Sequence, residues 1–177
     1  TGLVVTPTVT SWSVFGQVVI LILIQIGGLG VITIMSGLMI LLHKKMGIGD
    51  RLLLQDAFNL NSLSGLVRFV KKVVGGTFII EGIGALLYMI VFIPQFGAKG
   101  VWISVFTSIS AFCNAGFDIL GCITPGASLM EFQSDPAVLL TLSALVIVGG
   151  LGFLVWQEVL ALRSFRKLSV YSKLVLL

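Results

Sequence analysis

From Val14 to Leu42 the chain runs 29 residues without a charged side chain, interrupted only by Gln17, Gln25 and small hydroxyl or glycine positions. At about 1.5 Å per residue, a helix of that length exceeds the ~30 Å hydrocarbon core of a bilayer, so the run spans one, tilted or bent. Charged residues make up 10% of the 177 and apolar ones 57%, where a soluble domain carries about 25% charge. So few charges cannot cover a water-facing surface, which excludes a soluble enzyme. The same hydrophobicity excludes a disordered chain. The expected fold class is an all-α integral membrane protein, multi-pass and in the cell membrane, with the lipid bilayer as its first partner.

Three further stretches organise the chain. Val73 to Ile93 is a second span, ended by Pro94, and Ala137 to Leu162 is another, closing on Arg163-Ser164-Phe165-Arg166-Lys167. Between them Val101 to Phe117 is short for a span and rich in Ser, Thr, Cys and Asn. Polar, glycine-broken backbone at membrane depth survives only when buried in protein or lining a watery cavity. A re-entrant half-helix followed by an extended return strand fits that stretch. In the connection before Lys72, Asp50 to Leu60 reads as an amphipathic helix capped by Asp50.

The net charge of +4 invites a nucleic-acid reading, but its placement argues otherwise. Lys44, Lys45, Arg51, Arg68, Lys71 and Lys72 fall in one connection, and Arg163, Arg166, Lys167 and Lys173 in another; only Lys99 lies elsewhere. Both clusters abut apolar runs, as cytoplasmic loops do. With both inside, an even number of crossings must separate Ile93 from Ala137. Val101–Phe117 then dips in and returns on the outer side, and the acidic segment from Asp118 to Asp135 is external.

The organisation repeats. Ile26-Gly27-Gly28-Leu29-Gly30 matches Val148-Gly149-Gly150-Leu151-Gly152 at an offset of 122, and Lys44-Lys45 falls on Arg166-Lys167. Thr1-Gly2-Leu3 matches Ala115-Gly116-Phe117 at an offset of 114. The unit is span, re-entrant pore loop, span. Residues 1–45 would hold the end of one unit and 46–67 a cytoplasmic connection. A whole second unit would occupy 68–167 (span 73–93, pore loop 101–117, span 137–162), and 168–177 would start a third. The chain reads as a segment of a longer polytopic protein.

A half-helix followed by an extended glycine strand between two spans is the plan of a cation selectivity filter, whose carbonyl oxygens replace the ion's water. Glycine lets that backbone take positive φ and present a carbonyl without a Cβ clash. At these residues the sequence resembles a known family. Ser108-Ile109-Ser110-Ala111-Phe112-Cys113-Asn114-Ala115-Gly116-Phe117-Asp118 looks like the filter region of the Trk/Ktr/HKT superfamily of potassium transporters, nearest to its bacterial KtrB/TrkH membrane subunits. Thr1-Gly2-Leu3 looks like the end of the preceding filter, and Gln25-Ile26-Gly27-Gly28-Leu29-Gly30 like the helix after it. The resemblance implies potassium transport through four such units around one pore, a homodimer, and control by a cytoplasmic nucleotide-binding ring. Carried over by position, Thr1, Gly2 and Leu3 belong to one filter strand and Asn114, Ala115, Gly116 and Phe117 to the next. Potassium is then held by the backbone carbonyls of Asn114, Ala115 and Gly116, as transported ion rather than resident cofactor; no other cofactor is expected.

Other chemistry finds little footing. Cys113 and Cys122 lack metal-ligand spacing and could at most form an external bridge. His43 sits at a helix end with no acid or cysteine cluster beside it. No triad, paired carboxylate or phosphate loop can be assembled, so a non-enzyme is expected; a carrier of another small solute built on broken-helix repeats is the alternative. Asp118 stands where a filter meets an outer vestibule and would concentrate cations, or would be a solvated loop acid. Glu81 lies mid-span, where a charge costs at least ~2.5–3.5 kcal/mol. A buried hydrogen bond is the first reading for it and an ion pathway the second. The two Gly-Gly-Leu-Gly sets are expected to let spans approach closely rather than to act as hinges.

Overall fold

The computed structural model describes residues 8–30, 66–120, 128–162, 165 and 168–177. Thr1, Gly2, Leu3, the lower part of the first apolar run, His43, the amphipathic stretch and Cys122 lie outside them. All regular structure among the described residues is helical: α1 (Thr8–Ser11), α2 (Val14–Leu29), α3 (Leu66–Phe96), α4 (Lys99–Phe112), a 3-10 turn (Ser128–Phe132), α5 (Pro136–Gly150), α6 (Phe153–Leu162) and α7 (Val170–Leu176). Within α3, Val70–Phe96 is long and apolar enough to cross a membrane. The outward faces carry large apolar side chains, with Phe15 78%, Ile90 70% and Leu140 71% exposed. Lipid or further protein must cover so much apolar surface.

The sequence repeat is also a structural one. Ser13 caps α2, its hydroxyl accepting from the Gly16 N–H. Asp135, 122 residues later, caps α5 by accepting from the Ala137 and Val138 N–H groups, with Pro136 at the first helical position, where its missing N–H costs nothing. A short helical turn precedes each cap, Thr8–Ser11 before one and Ser128–Phe132 before the other. Each helix then stops near a glycine at positive φ, Gly30 (+78°) and Gly152 (+82°).

The stop at Gly152 revises one expected span. Ala137–Leu162 is two helices, α5 and α6, broken at Leu151–Gly152. A residue at φ near +80° leaves the helical region, and glycine does so without a Cβ penalty. The break is clamped by Trp156, whose indole N–H donates to the Val148 carbonyl at 2.8 Å. The last glycine of each repeat set therefore stands at a helix end, a job distinct from close approach, and Gly152 separates two helices. Pro94, in turn, does not end its helix: α3 continues to Phe96 and stops at Gly97 (φ +60°). Proline there removes one hydrogen bond near the terminus, and aromatic packing carries the backbone past it. Phe92 stacks on Tyr88 at 5.4 Å and meets Phe132 and Phe96 edge-on at 5.1 and 6.1 Å.

α4 is the hub, packing most extensively on α3 and also on α5 and α2. Its entry is tight, since a Cβ on Gly100 would sit 2.5 Å from the Phe92 carbonyl oxygen. Ser104, Thr107, Ser108 and Ser110 are buried along it, small polar residues of the kind that let membrane helices pack closely. At Gly84 of α3 a Cβ would meet Ser108 Oγ at 2.5 Å and Leu145 of α5 at 2.8 Å, so three helices cross there.

Candidate functional site

The site begins where α4 ends. Fourteen residues of helix reach about 21 Å, too little to cross a hydrocarbon core, and the backbone from Cys113 to Leu120 is not helical. The Asn114 N–H donates to Ala111 O at 3.1 Å and the Ala115 N–H to Ser110 O at 2.9 Å, with Asn114 at φ +52°. This is a Schellman stop, which needs a left-handed residue that asparagine supplies at low cost. Gly116 follows at φ +75°. Ser110 Oγ then reaches across the turn and donates to Phe117 O at 2.5 Å, tying the far end of the segment back to the helix that launched it.

Glycines from both repeat copies bracket this turn. A Cβ on Gly149 of α5 would overlap the Phe112 carbonyl, and one on Gly28 of α2 would overlap the Cys113 thiol. Close approach is the work of these two, as expected of their sets. The Asn114 amide also donates to Val146 O at 3.4 Å. Cavities open on either side of the segment. One, of about 330 Å³, is lined by Thr107, Ser110, Asn114, Gly116 and Asp118. The other, of about 380 Å³, lies between the segment and Ile24, Gly27 and Gly28 of α2.

Of the expected site residues, Asn114, Ala115, Gly116 and Phe117 form one continuous segment with Asn114 and Gly116 exposed. The Phe117 carbonyl is engaged by Ser110, so its clearest part is anchoring. Asp118 is half-buried, and its carboxylate accepts from the Leu120 N–H at 3.2 Å, which bends the chain as it leaves the segment. Glu81 is buried at 4% exposure; both carboxylate oxygens accept from the Gln25 amide at 3.0 Å, and the Cys113 thiol approaches at 3.9 Å. Sequence reasoning missed Gln25 as its partner and gave Ser110 and Gly149 no individual task. The available signal was a polar side chain inside an apolar run. Cys113 is a free thiol, and no cluster of three or more His, Cys, Asp or Glu occurs among the described residues.

An apolar helical chain that carries one sequence pattern twice and packs its helices through glycines and small polar residues defines a class to which a known family corresponds. The family model for TrkH, described as cation transport protein, matches residues 1–175, and the chain belongs to that family. The chain is 40% identical over 177 residues to the potassium/sodium uptake protein NtpJ of Enterococcus hirae, covering 99% of the chain and 38% of that relative. It is 41% identical over 177 residues to the Ktr system potassium uptake protein B of Bacillus subtilis, covering 99% and 39%. To the protein of the same description from Vibrio alginolyticus it is 33% identical over 180 residues, covering 100% and 38%. The chain thus spans about two fifths of the length of these relatives.

Proposed function

We propose that this chain is a segment of a membrane-embedded potassium-uptake protein, and that Asn114–Phe117 is one strand of its selectivity filter. The observation that carries the reading is the Schellman stop at Asn114 running directly into Gly116 at φ +75°. A helix too short to span hands its C-terminus to a non-helical, glycine-bearing segment. That terminus bears roughly half a negative charge from the helix dipole, and the last turn of α4 holds no basic residue to oppose it. The backbone at Asn114, Ala115 and Gly116 would replace part of a potassium ion's hydration shell. Transport would then be dehydration and coordination without covalent chemistry. Relatives described as potassium and potassium/sodium uptake proteins support the choice of ion.

On the same reading the α4 segment is a re-entrant pore loop and the basic connections are cytoplasmic. Thr1-Gly2-Leu3 closes the preceding filter strand. Further pore units, a second copy of the protein and a cytoplasmic nucleotide-binding ring are the partners. The test is Gly116→Ser in the full-length protein, with Gly75→Ser as control because Gly75 is exposed on α3 with open space around it. Potassium uptake is measured against a sodium gradient. Gly116→Ser should lower potassium flux or potassium/sodium discrimination several-fold while assembly persists, and Gly75→Ser should change neither. Wild-type discrimination in both would remove the filter assignment.

A further inference from the structure

Two units of the repeat meet at one buried carboxylate. Glu81 lies on α3 of the second unit, while Gln25 lies on α2, which closes the unit before it. The Gln25 amide donates to both Glu81 oxygens at 3.0 Å. The Cys113 thiol, one residue ahead of the left-handed Asn114, lies 3.9 Å from Glu81 Oε1. Ser108 Oγ donates to the main-chain carbonyl of Glu81 at 2.7 Å, so α4 is held to this one residue through its own last turns. Gly28 leaves room for the arrangement, because any Cβ there would overlap the Cys113 side chain.

We infer that Glu81 is a positioning residue for the filter: by bridging Gln25 and Cys113 it sets where the neighbouring unit's helix α2 and the base of the Asn114–Phe117 segment stand relative to each other. The inference rests on the filter reading above. A filter discriminates between cations by the placement of its carbonyls, and carbonyl placement here depends on Cys113 and Asn114. A carboxylate suits the task because it accepts from two donors on two different units at once. Simple helix adhesion would need neither the thiol nor the contact at the base of the segment.

The experiment uses the full-length transporter, reading the potassium/sodium discrimination ratio of uptake beside melting temperature in detergent. Gln25→Met removes the donor at nearly constant volume, and Glu81→Leu removes the acceptor. Each should lower the ratio at least threefold, and the double variant should go no lower than the more affected single one, as for partners in one interaction. Glu81→Gln, which still accepts from Gln25, should stay within twofold of wild type. Phe92→Leu, a buried change elsewhere on α3, should lower the melting temperature and leave the ratio alone. A wild-type ratio in Gln25→Met overturns the positioning role, and so does an equal drop in Phe92→Leu. If Glu81→Leu does not accumulate, Gln25→Met decides alone. Absence of potassium-selective uptake in the unsubstituted protein would instead overturn the filter reading itself.

Discussion

Asn114 and Gly149 show how much single positions carry. Asn114 sits at φ +52°, a region that costs most L-residues roughly 1–2 kcal/mol and β-branched ones the most. Asn114→Val should therefore destabilise the full-length protein by about that amount, read as a lower melting temperature in detergent, whereas Asn114→Gly should be close to neutral. An equal effect of the two would mean the left-handed stop is not what Asn114 supplies. At Gly149 a methyl group would overlap the Phe112 carbonyl, whereas Gly27, its counterpart 122 residues earlier, has open space. Gly149→Ala should cost about 1–3 kcal/mol, as overpacked sites do, and Gly27→Ala should fall within about 0.5 kcal/mol of wild type. The glycines were conspicuous in the sequence. Which of each set touches a neighbour was not, because contact depends on helix rotation that a locally apolar pattern does not encode.

At the scale of elements, α2 is pinned twice, once to α4 and once to α3. Gln17 accepts from the Trp102 indole at 2.9 Å, and Gln25 donates to Glu81 eight residues later on the same helix face. Both glutamines stood out in the sequence as interruptions of an apolar run, and a polar group at membrane depth demands a partner. Nothing local could name the partners, which lie 85 and 56 residues away. The α5–α6 break belongs to this scale as well. The Trp156 indole satisfies a carbonyl that the break would strand, so Trp156→Phe should weaken it by about 1 kcal/mol. Hydrogen exchange at the amides around Gly152 should quicken in that variant; unchanged protection would show that glycine alone holds the break. Pro94 shows the limit of a breaker rule, since a proline in the last turn costs little when Phe92 and Phe96 are already packed against Phe132.

For the whole molecule, sidedness is the prediction that charge placement makes. A cysteine introduced at Gln133, which is exposed beside the 3-10 turn, should react with an external impermeant thiol reagent in the full-length protein. One introduced between Lys45 and Gly49 should not, and the reverse pattern would overturn both the orientation and the re-entrant loop. Amino-acid order by itself determined the membrane class, the repeat offset, the short helix with its glycine segment and the family resemblance, because hydrophobic run length, charge placement and local glycine chemistry act over a few neighbouring residues. Only the tertiary structure decided that Glu81 pairs with Gln25, that Ser110 anchors Phe117, that Gly28 and Gly149 receive the turn, and that Gly152 splits a helix. Each of those depends on which faces of distant helices meet, and a nearly uniformly apolar helix carries no local mark of its inward side.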